Sequence, residues 1–282
     1  MHKPNHLNAA TGLLIIEAAM SNINGDPDKE SDPRTVETVD GEFGMVSDVS
    51  IKRKVRDIVL AKDGPLWAQV SKDAGIEGSD GFDILERPDR NRSEISGMKA
   101  EDFKRRYWDA RVFGSNFLES GDGATSHTYA GPVALSWGKT LAPVNIIRAT
   151  TTNISPVQEG KSRGMAPLSY RVVEHAVYAV PFVYSPHNGK KVGCTAQDLN
   201  LLLHLLPHIG LLVSRTRPQI TVHHVWWAEH SSALGSCSPS VIWTALTPTT
   251  LCKGTSHAWS DYEDVKSPEI NGVTISDYAA RA

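Results

Sequence analysis

Cationic side chains bunch on one short stretch of a mildly acidic chain. Residues 47–59 run Ser-Asp-Val-Ser-Ile-Lys-Arg-Lys-Val-Arg-Asp-Ile-Val. At about 100° per residue in a helix, Ile51, Val55, Ile58 and Val59 share one arc. Lys52, Arg53 and Arg56 fall on the adjoining arc, with Lys54 on the other flank. Cations side by side next to a buried face suit a row of phosphates, which Arg can grip bidentately. On charge pattern alone, a solvated helix face is the commoner explanation.

Other chemistries are weaker. Asn22-x-Asn24-Gly25-Asp26-x-Asp28 resembles a calcium loop, but Pro27 stands where the sharp-turn Gly belongs and Pro33 where the bidentate Glu belongs. Asp26 and Asp28 could hold a nuclease metal, yet Asn-Gly-Asp-Pro more often simply makes a turn. Gly138-Lys139-Thr140 ends like a phosphate loop, but Val133 fills the first Gly position. His204 and His208 have helical spacing without the Glu of a metalloprotease, and Pro207 lies between them. His223 and His224, adjacent in a strand, should point to opposite faces. No Ser/His/Asp set is identifiable from spacing, although a triad can be assembled in space. Residues 111–117 match only fragments of the aromatic strand motif of RNA-recognition modules, and a helix end with a Gly cap explains them better.

The elements that must position these residues alternate. Residues 12–20 form a buried strand, 22–33 a turn-rich loop, and Ser47 an N-cap for a helix of about three turns. Residues 64–100, dotted with Gly and charge, form an inserted helical lobe. A helix follows over 100–113, then strands at 133–137 and 144–147. Residues 149–169 lack periodicity and are expected to be a structureless connection, long enough to be functional or disordered. Residues 172–184 are a strand, Thr195 starts a Leu-rich helix, 220–227 are a strand, and 241–246 are expected to be another. The alternation is β-α-β-β-α-β with insertions, an α+β fold in one domain over 1–282.

With 282 residues and a formal charge of −3, the chain can bury a full core and is no general DNA-coating protein. Cys194, Cys237 and Cys252 form no Cys-x-x-Cys pair, and an odd number fits a reducing cytoplasm. The polar start lacks a signal-peptide core, and the longest apolar run, 199–213, is too broken to span a bilayer.

Taken together, several blocks resemble the backbone subunit of type I CRISPR surveillance complexes. This is the "Cas seven" family of the RAMP superfamily, and its subtype I-C and I-B members are the most alike. The blocks are Ser21-Asn-Ile-Asn-Gly-Asp-Pro-Asp28 with Pro33-Arg34, then residues 46–56, 108–114, 131–137, 175–178, 195–199 and 229–235. They occur in family order over most of the chain. The first departs from the usual Asn-Pro-Asn-Gly-Asp by Ile23 in place of Pro.

The resemblance implies a modified RNA-recognition-motif (ferredoxin-like) core with an inserted helical lobe and a thumb, here residues 149–169. It implies a non-catalytic, cytoplasmic Cascade subunit, without cofactor or metal, that binds CRISPR guide RNA and oligomerises head to tail along it. Other Cascade subunits are partners, and target DNA is read through guide pairing. Carried onto this sequence, the guide contacts are Asn22, Asn24, Ser47, Lys52, Arg53 and Arg56, then Arg34 and Arg111. In the thumb they are Lys161, Arg163 and Met165, the last as a wedge against a base. Replacing Lys52 and Arg56 by Ala should weaken RNA binding and spare the fold, since both lie off the apolar arc. The rival is a metal-dependent ribonuclease using Asp26, Asp28 or Glu159.

Overall fold

A computed structural model of the chain describes residues 7–76, 78, 80–117, 126–154 and 165–281. Its centre is strand β1 (Ala10–Ser21), whose nearly unbroken apolar run is buried on both faces. Eight further strands complete an antiparallel sheet: β2 (Thr35–Thr38), β3 (Gly41–Val46), β4 (Val133–Leu135), β5 (Gly138–Thr140), β6 (Ile146–Ile154), β7 (Met165–Tyr184), β8 (Ile220–His230) and β9 (Val273–Asp277). The order is β9-β8-β1-β7-β5-β3-β2, with β4 and β6 also paired to β7. Gly12 lies opposite Phe182, and a Cβ there would sit 2.0 Å from the Phe182 ring, so only glycine lets that ring cross β1.

Alternation along β1 sends its residues into two apolar layers. Leu14, Ile16 and Ala18 pack under α1 (Asp48–Leu60), α2 (Pro65–Asp73) and α6 (Ala196–Leu205). Leu13 and Ile15 pack against Trp226, Ile242, Leu246 and Tyr262 on the opposite face. A third, small cluster of Leu85, Ile95, Phe103, Tyr107 and Ala110 sits beside α3 (Ala100–Arg106) and α4 (Trp108–Phe113). α5 (Pro186–Val192) and α7 (Pro239–Leu246) complete the helices of the described residues.

α1 and α6 begin as expected. Ser47 Oγ accepts from Ser50 N, and Thr195 with Asp198 closes a reciprocal capping box. Three expectations need correcting. Residues 241–246 are helix α7, not a strand: Pro239 opens its first turn, and Ile242 and Leu246, four apart, are buried while Val241 faces solvent. The single helix over 100–113 breaks at Tyr107, which is extended and bridges Asp83. It stops at Gly114, whose φ of 87° marks the expected glycine cap.

The third correction concerns residues 149–169. Residues 149–154 and 165–169 are not structureless but lie in the β6–β7 ladder, which runs in register from Ile146↔Val173 to Ile154↔Met165. Thr150, Thr151 and Thr152 are β-branched and suit a strand, a preference that lack of periodicity concealed. β1 leaves β7 at Ser21↔Val173, so the ladder continues as a two-stranded arm. The remainder of the expected thumb, 155–164 with Lys161 and Arg163, lies outside the described residues, as does the Met165 side chain.

Candidate nucleic-acid interface

The loop leaving β1 is tied to α1 by its two asparagines. Asn24 Oδ1 accepts from both the backbone N–H (2.8 Å) and the hydroxyl (2.7 Å) of Ser47. Asn22 Oδ1 accepts from Asn24 N, and its Nδ2 donates to the carbonyls of Ser31 and Arg171. Below them Lys54 Nζ donates to Ile23 O (3.0 Å) and Ser50 Oγ (2.8 Å). Lys54 is therefore a buried clamp and not a flank of an exposed stripe. Burial, reinforced by Arg217, pushes its ammonium down to about 8. Asn22, Asn24 and Ser47 thus use their polar atoms to shape the junction of loop and helix.

The cations divide by what they hold. Arg111 uses all five of its N–H donors internally: Nε and Nη2 on the Asp198 carboxylate, Nη1 on the carbonyls of Lys104 and Arg105, and Nη2 also on Gly81 O. Its guanidinium has no donor left for a phosphate. Arg56 Nε lies 2.8 Å from Asp109, which is fully buried and also accepts from Leu85 N and Glu86 N. Removing Arg56 would leave that buried carboxylate with its two backbone donors but without its cation, so replacing it together with Lys52 should cost stability. Lys52 and Arg53 are different. Among the described residues each pairs with an acid one turn away on α1, Asp48 and Asp57, at 2.8 and 2.7 Å. Arg53 is 45% exposed, and Lys52 lies over the Phe113 ring. Arg34 is paired to Asp26 at 3.2 Å and lies over the exposed Trp137 ring.

Beside this junction stand cations that charge clustering along the sequence does not single out. Arg148 and Arg171 are directly opposite each other in the β6–β7 ladder, and both bind Asp32. Arg171 also pairs with Glu30. Arg215 donates to Ser169 O and lies over Tyr170, while Asn22 N donates to Thr216 O. Ser214-Arg-Thr-Arg-Pro218 is legible in the sequence as a doubly basic turn. The Arg148–Arg171 pairing is not, because it exists only through strand register.

On the other face the sheet assembles a set that spacing does not reveal. Ser256 Oγ and His175 Nδ1 are 2.8 Å apart, and His175 Nε2 lies 3.0 Å from Glu17. The second Glu17 oxygen meets His223 at 2.8 Å. Hydrogen bonds from His175 and then His223 hold Glu17 down to about 2. Ser256 is buried and also accepts from Tyr262 OH, so the relay is closed in on itself. His223 and His224 do not part to opposite faces. The register slips between Ile15↔His224 and Ile16↔Val222, a bulge at His223, and both rings contact Trp259. Burial alone would lower the His224 pKa, but Asp277 and Asp264 flank the ring and raise it.

Asp26 caps a single 3-10 turn and pairs with Arg34, and the described residues contain no group of three or more His, Cys, Asp or Glu placed to hold a metal. Glu159 lies outside the described residues. No helix among the described residues is long and apolar enough to cross a membrane.

The family model for CRISPR-associated protein Cas7 matches residues 8–268, which takes in the loop, α1, the arm and the Glu17 cluster. The chain belongs to this family. Two solved structures are similar to this family member at low identity. A chain of a "CRISPR RNA-guided surveillance complex, pre-nicking" is 15% identical, covers 78% of each chain and has a TM-score of 0.47. A chain of a "CRISPR RNA-guided surveillance complex" is 17% identical, covers 77% of this chain and 68% of that one, and has a TM-score of 0.42. Overlaps of that quality fix neither topology nor site. No curated protein matches the sequence significantly.

Proposed function

We propose that the chain is a non-catalytic subunit that grips the backbone of CRISPR guide RNA, with further copies arranged head to tail along the guide. Target DNA is then read by guide pairing, and the other subunits of a type I Cascade complex are its partners. The observation that carries this reading is the preorganised junction after β1. A loop locked by Asn22, Asn24 and Lys54 delivers the start of α1 with Arg53 exposed and Lys52 partly buried, in a chain whose family is CRISPR-associated. The order β8-β1-β7 with α1 and α6 on one face is what a β-α-β-β-α-β core of the RNA-recognition type requires, and supports that finer fold reading.

Backbone contacts of this kind track charge and not sequence, so affinity should fall as salt rises. Purified protein should carry RNA, visible as raised ultraviolet absorbance from the bases. After stripping at high salt it should bind a labelled single-stranded RNA and leave it intact in magnesium. Metal-dependent cleavage abolished by Asp26→Ala would establish the ribonuclease instead. Protein that neither carries nor binds RNA would remove the reading altogether.

A further inference from the structure

The arm base holds two arginines in an arrangement that requires an anion. Arg148 and Arg171 are cross-strand partners, and like charges directly opposite in a ladder repel. Here Asp32 lies between them, 2.7 Å from Arg148 Nε and 3.0 Å from Arg171 Nη1. Glu30 adds a second carboxylate on Arg171 although its side chain is 81% exposed. The turn that carries these acids is tight, closed by Ser31 N donating to Asp26 O. Glu30 and Ser31 are consecutive non-glycine residues with φ of 50° and 65°, a conformation that L side chains adopt at a cost. The Asn22 side chain holds it by donating to Ser31 O. Arg171 still keeps a buried Nε–H without an acceptor among the described residues. Alongside, Arg215 caps Tyr170, whose hydroxyl reaches Met20 O.

We propose that Arg148 and Arg171 form a second phosphate site, which the acidic turn at Glu30 occupies before RNA binds and yields to a backbone phosphate of the incoming strand. The inference rests on the RNA-binding reading above. Asp32, largely buried between the arginines, stays as the fixed partner. Glu30 is the exchangeable one, since its carboxylate gains little from a pairing made in water. A nucleic-acid phosphate can take the single Arg171 Nη2 contact that Glu30 makes, and it brings further acceptor oxygens. Yielding Glu30 removes the tie of the turn to Arg171 Nη2 and leaves its ties through Asn22 and Asp32 in place. The site is therefore closed to stray single anions and opens to a polyanion already held by Lys52 and Arg53 on α1.

The test is fluorescence anisotropy of RNA-stripped protein with a labelled single-stranded RNA, comparing Glu30→Gln with Asp28→Asn. Both remove one charge from the same exposed turn, but only Glu30 touches an arginine. Glu30→Gln should tighten binding about three- to tenfold and steepen its salt dependence, with Asp28→Asn changing it by much less. Arg148→Ala, at a half-exposed position, should weaken binding by about the same factor and abolish the gain from Glu30→Gln. Hydrogen exchange of the turn should rise when RNA is added. Equal effects of Glu30→Gln and Asp28→Asn, or a turn whose exchange RNA does not alter, would overturn the proposal. If Lys52→Ala with Arg53→Ala still weakens binding in that case, only this second site fails. If no variant binds RNA differently from a neutral control protein, the RNA-binding reading itself fails.

Discussion

Arg111 and Arg53 carry the same side chain into opposite kinds of site. Arg111 is enclosed, and its five donors end on Asp198 and three carbonyls. Arg53 stands on the outer face of α1 with one carboxylate a turn away. The first ties α3 and the Gly81 backbone to α6, and the second keeps donors for something outside the protein. Arg56 lies between these extremes, because its partner Asp109 is buried while its own guanidinium is partly solvated. A basic residue in such a chain therefore says little until its acid is located. Desolvated pairs hold the fold and solvated ones are open to exchange.

The largest effect should come from Arg111→Ala, which leaves Asp198 charged and buried. Urea unfolding should show a loss of about 3–5 kcal/mol, and Arg111→Lys should recover little, since one ammonium cannot reach the same set of acceptors. RNA affinity per folded molecule should stay unchanged; a specific loss of affinity in folded protein would erase the division between structural and solvent-facing arginines. Arg56→Ala should cost about 2–3 kcal/mol for the same reason, with part of the loss recovered in the double variant with Asp109→Asn.

The two cations whose acids lie one turn away on α1 should behave in the reverse way. Lys52→Ala with Arg53→Ala should change stability by less than about 1 kcal/mol. It should weaken RNA binding and reduce the slope of log affinity against log salt by about 0.7 for each phosphate no longer neutralised. Unchanged affinity would show that α1 presents the wrong surface. A separate effect, read only in acid, is the pH response of the half-buried Glu17. Glu17 is held at about 2 in the fold against an ordinary 4.5, so its contribution is present above 4.5 and lost as pH falls toward 2. Urea midpoints across that window should fall less steeply in Glu17→Gln, and added salt should not alter the difference.

Much of the scaffold is legible in local chemistry. The β1 run, the Ser47 cap, the Leu-rich helix after Thr195 and the strand begun at 220–227, which runs on to His230, all follow from periodicity and capping residues close in sequence. Expectations fail where a distant partner decides. Residues 241–246 are β-rich in composition, yet Pro239 in the first turn and burial at two positions four apart make them a helix. Residues 149–154 look irregular until they are paired with 165–170. The site shows the same division. Lys52 and Arg53 can be picked from their arc, whereas the burial of Arg56 and Arg111 depends on Asp109 and Asp198, 53 and 87 residues away. Arg148 and Arg171 become neighbours only through the ladder.

The bulge at His223 bears on how the chain can change in length. In a strand buried on both sides, losing one residue inverts every side chain beyond the loss, and β1 offers no way to absorb it. β8 does. With His223 deleted, Val222 and His224 would become consecutive opposite Ile16 and Ile15, their present partners, and Val225 to His230 would keep their faces. The sheet thus contains a position where a codon can be dropped and the layers still close, at the cost of the ring stacked on Trp259 and its hydrogen bond to Glu17.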